Sequence, residues 1–141
     1  MKRYMSLDIG DATIGIAVSD LLGLTAQGIG TIRRTELSSD MERLGALIQE
    51  YDVAALVAGL PKHMNGTEGE RCTIVRAFMA DAAMRFPVLE IHYWDERLST
   101  VAASRALLEG GISRRKRRKV IDKMAAVYIL QGFLDRQQNL Q

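Results

Sequence analysis

The sequence predicts an α/β fold in which a mixed five-stranded sheet is flanked by helices. Three short β-type segments follow one another near the N-terminus, which favours an antiparallel meander. Helical and β-type segments alternate after that, which favours parallel strands joined by helical crossovers. The run at residues 53–59 is almost wholly apolar, as in a strand that is buried on both faces at the centre of a sheet.

Five strands are expected where β-type residues lie between turn residues or next to a change of period. In chain order they are residues 3–9, 13–19, 25–33, 53–59 and 88–93. Residues 10–12 form the turn between the first two strands. Gly28 and Gly30 weaken the third strand, because glycine in a strand interior has no side chain to pack.

Helices are expected where apolar residues recur every three or four positions. Ser39 with Glu42 has the spacing of a capping box, and Thr67 with Glu70 repeats it before the second helix. Pro87 ends that helix. The apolar faces span residues 41–51 and 72–86, and two further helices are predicted at residues 100–109 and 120–137.

Length and composition indicate a single domain over residues 1–141, with 48% hydrophobic and 26% charged residues and no linker. The apolar stretch at residues 53–60 is far shorter than the roughly 20 residues of a membrane-spanning helix. Asp8 interrupts any signal-peptide apolar region. A lone cysteine, Cys72, excludes an intramolecular disulfide and a cysteine zinc cluster, and it favours a cytoplasmic location.

The positive charge is concentrated in one segment. The net charge is +2, and six of the 19 basic residues are consecutive at residues 114–119, which leaves 13 basic against 17 acidic residues elsewhere. Such a run can neutralise several phosphates of a nucleic acid. The alternative is a solvated face without a ligand.

Three acidic positions are candidates for chemistry, and each has a simpler alternative. Asp8 lies in or at the end of an apolar strand, although it can also be a turn residue that caps the following bend. Glu96 follows the fifth strand, where ligands bind in open α/β sheets, although, taken alone, this position favours a solvated loop in which Asp95 or Glu96 forms an ion pair with Arg97. Asp122 lies near the start of the last helix, where an acid complements the helix dipole.

Taken together, the three carboxylates predict a metal site. They come from three different elements, and they would repel one another unless a cation lay between them. Ligation by oxygen alone suits Mg²⁺ or Mn²⁺. Sites of this kind activate water for phosphodiester hydrolysis.

The loop at residues 59–69 is a candidate phosphate-binding segment. Its glycines allow close approach of the backbone, and the helix that follows favours an anion at its N-terminus. Lys62 and Asn65 are the expected substrate contacts in this loop. The alternative is a plain connection with a turn at residues 65–66.

Four blocks of sequence match one known family. The first block, at residues 7–20, contains LDIG and GIAVSD, and the second, at residues 59–69, contains GLP and NGTEG. The third is DERLST at residues 95–100, and the fourth, at residues 121–131, contains ID, AA and ILQ. On these blocks the chain resembles the YqgF/RuvX family, whose members are described as pre-16S rRNA nucleases and Holliday junction resolvases. The resemblance covers essentially the whole chain.

The resemblance implies a ribonuclease H-like fold and a nuclease that matures the 5′ end of small-subunit ribosomal RNA. It implies that Asp8, Glu96 and Asp122 are the acidic residues that bind Mg²⁺ or Mn²⁺. Its implied partners are precursor rRNA and ribosomal particles.

One departure concerns substrate binding, since many members carry Lys and Arg where this chain has Ala12 and Thr13. Other cations must then contact the substrate. The candidate substrate-binding residues are Arg97, Lys62, Asn65, Arg114, Arg115, Lys116, Arg117 and Arg118.

Two other functions remain open from the sequence. One is a Holliday junction resolvase acting on four-way DNA junctions, which needs two active sites and hence a dimer, whereas the sequence gives no oligomeric state. The other is a non-catalytic nucleic-acid-binding module for ribosome assembly. Actin-like phosphate chemistry would need two such domains, and 141 residues are too few for them.

Overall fold

The five strands form one mixed sheet in the computed structural model, which describes residues 2–98 and 114–139, with side chains in the last helix described from residue 123 onward. The strands are β1 (Tyr4–Ile9), β2 (Thr13–Ser19), β3 (Ala26–Arg33), β4 (Ala55–Leu60) and β5 (Glu90–Asp95). Their spatial order is β3-β2-β1-β4-β5. β1 pairs antiparallel with β2, and β2 with β3, whereas β1, β4 and β5 are parallel. The predicted meander is therefore confirmed, and β4 lies inside the sheet between β1 and β5, although the central strand is β1.

Helices cover both faces of the sheet. α1 (Leu37–Glu50) and α2 (Glu70–Arg85) pack on one face, and α3 (Arg114–Asn139) packs on the other. A short 3₁₀ turn, Glu96–Leu98, follows β5. In the described ranges no helix combines the length and apolarity needed to cross a bilayer. The helix predicted at residues 100–109 lies outside the described residues.

Both predicted capping boxes are wrong. α1 begins after Glu36, so Ser39 lies inside the helix, and the buried Asp40 accepts a hydrogen bond from the Thr35 N–H at 3.0 Å instead. α2 begins after Gly69, and the Thr67 hydroxyl donates to the Asn65 side chain at 2.7 Å. In each case a neighbouring Asp or Asn side chain makes the local hydrogen bond.

Among the boundaries that differ from the prediction, two have a clear physical reason. β5 begins at Glu90 rather than residue 88, because a turn occupies the preceding residues and the Leu89 N–H donates to the Phe86 carbonyl at 3.1 Å. α3 begins at residue 114 rather than 120, so the basic run forms its first turns. Arg and Lys are good helix formers, and the helix can continue through them.

α3 lies directly against the sheet. The buried Ser6 hydroxyl donates to the Ala126 carbonyl at 2.6 Å. Gly132 faces the Trp94 ring so closely that a Cβ there would lie 2.8 Å from Cζ2. Gln131 bonds the Ala26 N–H and the Leu24 carbonyl, each at 3.0 Å. These contacts fix the position of α3 relative to β1 and to the edge strand β3.

We expect Ser6→Ala to lower the free energy of unfolding by about 1 kcal/mol, because the substitution removes a buried hydrogen bond between β1 and α3. Urea denaturation followed by circular dichroism measures the change. Ser39→Ala is the matched control, since it removes a hydroxyl that caps no helix. Equal stability of Ser6→Ala and the wild type would contradict the expectation.

Candidate active site

The carboxyl ends of the parallel strands β1, β4 and β5 meet at one edge of the sheet, called the carboxyl edge below. Asp8 is the fifth residue of β1, Gly59 is the fifth residue of β4, and Glu96 directly follows β5. Ligands of open α/β sheets bind at this edge, beyond the carboxyl ends of the strands. Two of the three predicted acidic residues therefore lie where a site is expected.

Asp8 is a strand residue on the face covered by α3. Side chains alternate along a strand, so Asp8 shares a face with Ser6, which contacts α3. Only 7% of Asp8 is exposed. The hairpin beyond it is closed by the Gly10 N–H, which donates to the Thr13 carbonyl at 2.9 Å. Asp8 thus lies in the strand before the turn rather than in the turn itself.

Glu96 reaches back over β4 at a position that has no side chain. An ideal Cβ on Gly59 would lie 3.3 Å from the Glu96 carboxyl carbon and 2.5 Å from Ile129 Cδ1 of α3. The register pairs Leu7 with Ala58, so one residue further Asp8 stands beside Gly59. The carboxylates of Asp8 and Glu96, which is 8% exposed, are therefore brought towards each other across Gly59.

Asp122 belongs to α3 by its backbone, but its side chain lies outside the described residues. It is the ninth residue of the helix, so it is not the first-turn acid that the dipole alternative required. The side chains of Arg114, Arg115, Lys116, Arg117 and Arg118 also lie outside the described residues. Among the side chains that are described, no three His, Cys, Asp or Glu form a group that could hold a metal ion.

Arg97 forms an ion pair with Asp95, as the loop alternative anticipated. Its Nη2 lies 2.6 Å from Asp95 Oδ2, and Nε lies 3.1 and 3.0 Å from the two carboxylate oxygens. Nη1 donates to the Met64 carbonyl at 3.2 Å. Hydrogen bonding to Arg97 lowers the pKa of Asp95, and the same bond raises the pKa of Arg97. The pair joins the end of β5 to the loop at residues 61–69.

The two predicted contacts in that loop have local roles. Lys62 Nζ lies 3.9 Å from the carboxylate of Glu68. The Asn65 side chain accepts from the Thr67 N–H at 3.0 Å and shapes a turn in which Gly66 has a φ of 88°. Positive φ is strained for residues with a Cβ, so glycine suits this position. Both residues belong to the loop that follows the carboxyl end of β4, and their contact with a substrate stays a prediction.

Sequence reasoning missed Arg71, the second residue of α2. Its Nη1 lies 3.2 Å from Asp11 Oδ2, and its Nη2 lies 3.5 Å from the Ile9 carbonyl oxygen, directly after Asp8. Sixty residues separate the ion-pair partners along the chain. Neither helical periodicity nor a local motif distinguishes this arginine from others on α2.

Comparisons with known proteins show which family the chain is similar to. The sequence model of a family described as "RuvX: Holliday junction resolvase" matches residues 2–136. A protein of Heliobacterium modesticaldum named "Putative pre-16S rRNA nuclease" is 51% identical over 140 residues, which cover 98% of this chain and 92% of the relative. A protein of Clostridioides difficile with the same name is 54% identical, covering 94% of each chain.

Two solved structures have a similar fold at low sequence identity. T. thermophilus RuvC in complex with a Holliday junction substrate superposes with a TM-score of 0.58 at 11% identity, covering 98% of this chain and 97% of that one. The fowlpox virus Holliday junction resolvase gives a TM-score of 0.51 at 15% identity, covering 99% of both chains. The predicted ribonuclease H-like fold is thereby confirmed.

We expect Gly59→Ala to lower the free energy of unfolding by about 1–3 kcal/mol, because the new Cβ overpacks the interface between β4 and α3. Thermal denaturation gives the change. Ile129→Val removes the Cδ1 atom that a residue-59 Cβ would meet, so the double variant should lose less stability than the two single variants together. Strict additivity would show that these two positions do not clash.

Asp95→Asn should lower the melting temperature by a few degrees at neutral pH. The folded-state pKa of Asp95 lies below its ordinary value of 3.8, so the carboxylate stabilises the fold above that pH and loses this effect as the pH falls through the folded-state pKa. The difference from the wild type should therefore shrink as the pH falls below 3.8. Asp81→Asn is the control, because no described residue forms an ion pair with Asp81. A difference independent of pH would contradict the prediction.

Proposed function

The chain belongs to the RuvX family of Holliday junction resolvases, and from this membership we propose that it is a metal-dependent endonuclease that processes the 5′ end of pre-16S ribosomal RNA. The two relatives at 51 and 54% identity are named as pre-16S rRNA nucleases, and the match covers 92 and 94% of their length. We propose further that residues 1–141 form one nuclease domain, that it acts in the cytoplasm, and that ribosomal particles present its substrate.

The observation that carries this proposal is the approach of Asp8 and Glu96 across Gly59. Two carboxylates that approach each other away from bulk water repel, and a divalent cation between them offsets this repulsion. Their oxygen atoms are the donors that Mg²⁺ and Mn²⁺ prefer. Because Gly59 has no side chain, the Glu96 carboxylate has room to approach Asp8. The donor set therefore fits a divalent cation.

We propose Asp122 as the third ligand. α3 runs opposite to β1, because Tyr4 lies against Phe133 and Ser6 against Ala126. Two residues along β1 from Ser6 to Asp8 span about 6.6 Å, and four residues back along α3 from Ala126 span about 6 Å. A step of equal length along both elements therefore leads from the contact of Ser6 with Ala126 to Asp8 and position 122, which supports the inclusion of Asp122 in the site.

The residues would divide the work of hydrolysis between them. Bound Mg²⁺ or Mn²⁺ supplies activation of a water nucleophile and stabilisation of the leaving oxygen. Asp8 and Glu96 hold the cation at the carboxyl edge, and the packing of α3 limits the access of other water. We propose that Lys62, Asn65 and Arg97 contact the phosphodiester backbone near the site. The basic run at residues 114–118 would contact it further away and make affinity fall with salt.

The alternative function is cleavage of four-way DNA junctions. It is favoured by the description of the family and by a fold shared with two resolvases. Symmetric cleavage of a junction needs two active sites, so this alternative requires a dimer. Measuring the molar mass of the purified protein, with and without a junction, tests whether it forms this dimer.

Cleavage assays test the proposed function. Purified protein is incubated with a precursor 16S rRNA fragment and, separately, with a four-way DNA junction, in Mg²⁺, in Mn²⁺ or in chelator. We expect RNA cleavage that needs the metal and falls more than about 100-fold in Asp8→Asn and in Glu96→Gln, since even outer-sphere changes at metal sites cost 10- to 100-fold. Asp81→Asn is the matched control and should retain activity.

The outcomes separate the candidate functions. Cleavage of the junction alone would favour the resolvase. Binding of RNA without cleavage under any condition would favour a non-catalytic role in ribosome assembly and would overturn the nuclease proposal. Full activity of folded Asp8→Asn would show that the active site lies elsewhere.

A further inference from the structure

Arg71 reaches the carboxyl edge from the face opposite to α3. Its guanidinium bonds the Asp11 carboxylate at 3.2 Å and approaches the Ile9 carbonyl at 3.5 Å. Ile9 directly follows Asp8 in β1, so a positive charge stands within one residue of the backbone that carries the candidate metal ligand. Ala12 and Thr13 leave the adjoining turn without a basic side chain.

Arg71 differs from the other described cations at this edge in the exposure of its ion pair. Its side chain is 51% exposed, and that of its partner Asp11 is 78% exposed. Three other ion pairs at this edge are less exposed in both partners: Arg34 with Asp40, Arg97 with Asp95, and Lys62 with Glu68. Arg34 also packs over the Phe78 ring, with 5.3 Å between the guanidinium carbon and the ring centroid.

This exposure makes the ion pair of Arg71 easy to exchange. Ion pairs between exposed side chains contribute little to stability, because water and salt screen them. The two contacts described for Arg71 use two of its five N–H groups, and the remaining donors are enough for a bidentate hydrogen bond to a phosphate. A phosphate can therefore take the place of Asp11 without a change in the fold.

We propose that Arg71 forms a phosphate-binding subsite, which holds a backbone phosphate of the nucleic-acid substrate adjacent to the one that is cleaved. Asp11 keeps the guanidinium at the edge until the substrate phosphate displaces it. The inference rests on the proposed nuclease function, since it assigns a part of the same substrate. It makes Arg71 a determinant of binding and leaves the hydrolytic step to the acidic residues.

Salt-dependent binding tests the subsite apart from catalysis. The precursor rRNA fragment is titrated with the Asp8→Asn protein, which leaves it intact, and anisotropy is measured from 50 to 300 mM KCl. In this Asp8→Asn protein, the second substitution Arg71→Gln should weaken binding about tenfold at low salt. It should also reduce the slope of the logarithm of the binding constant against the logarithm of the salt concentration by about 0.7, the value for one phosphate of a single strand. Arg71→Lys should keep the slope and lose part of the affinity.

Arg85→Gln is the matched control, because it removes the same charge from the other end of α2, about 21 Å away along the helix. It should leave the slope nearly unchanged, and Asp11→Asn should tighten binding by removing the competing carboxylate. Equal slopes for Arg71→Gln and Arg85→Gln, or no effect of either, would overturn the subsite. The wild-type cleavage assay reports separately on the nuclease function, so failure of one proposal is distinguishable from failure of the other.

Discussion

The close approach of α3 to the sheet is the constraint on which the rest of the structure depends. Contact is possible because glycine stands where side chains would otherwise collide, at Gly59 beneath Ile129 and at Gly132 against Trp94. The hydrogen bond from Ser6 to the Ala126 carbonyl then fixes how far the helix lies along β1. Since protein interiors are close-packed, a methyl group added at either contact would force the neighbouring side chain or α3 itself to move.

The same contact shapes the acidic site. Gly59 leaves a gap in the surface of β4 that both Ile129 and the Glu96 carboxylate approach. A larger residue there would separate Glu96 from Asp8 as well as lift α3, so packing and the candidate chemistry depend on one position. Parallel pairing of β1, β4 and β5 brings their carboxyl ends to one edge and makes this arrangement possible.

Much of the fold was predictable because the spacing of apolar residues in the local sequence differs between strands and helices. Strands β1 to β4 lie within a residue or two of the prediction, and the resemblance of four sequence blocks pointed to the family and to Asp8 and Glu96. The capping boxes failed because spacing alone does not reveal competing side chains such as Asp40 and Asn65. α3 begins before the predicted start because Arg and Lys continue a helix well, whereas a run of basic residues has no apolar periodicity by which the sequence could indicate one.

By itself the sequence determined the strands and helices, the acidic candidates and the family, since each follows from local pattern or from a motif. Only the tertiary structure decided which distant residues meet. It carried Glu96 over Gly59 and brought Arg71 to Asp11. These contacts join residues 37 and 60 positions apart, and they arise from strand order and helix placement, which no local pattern encodes.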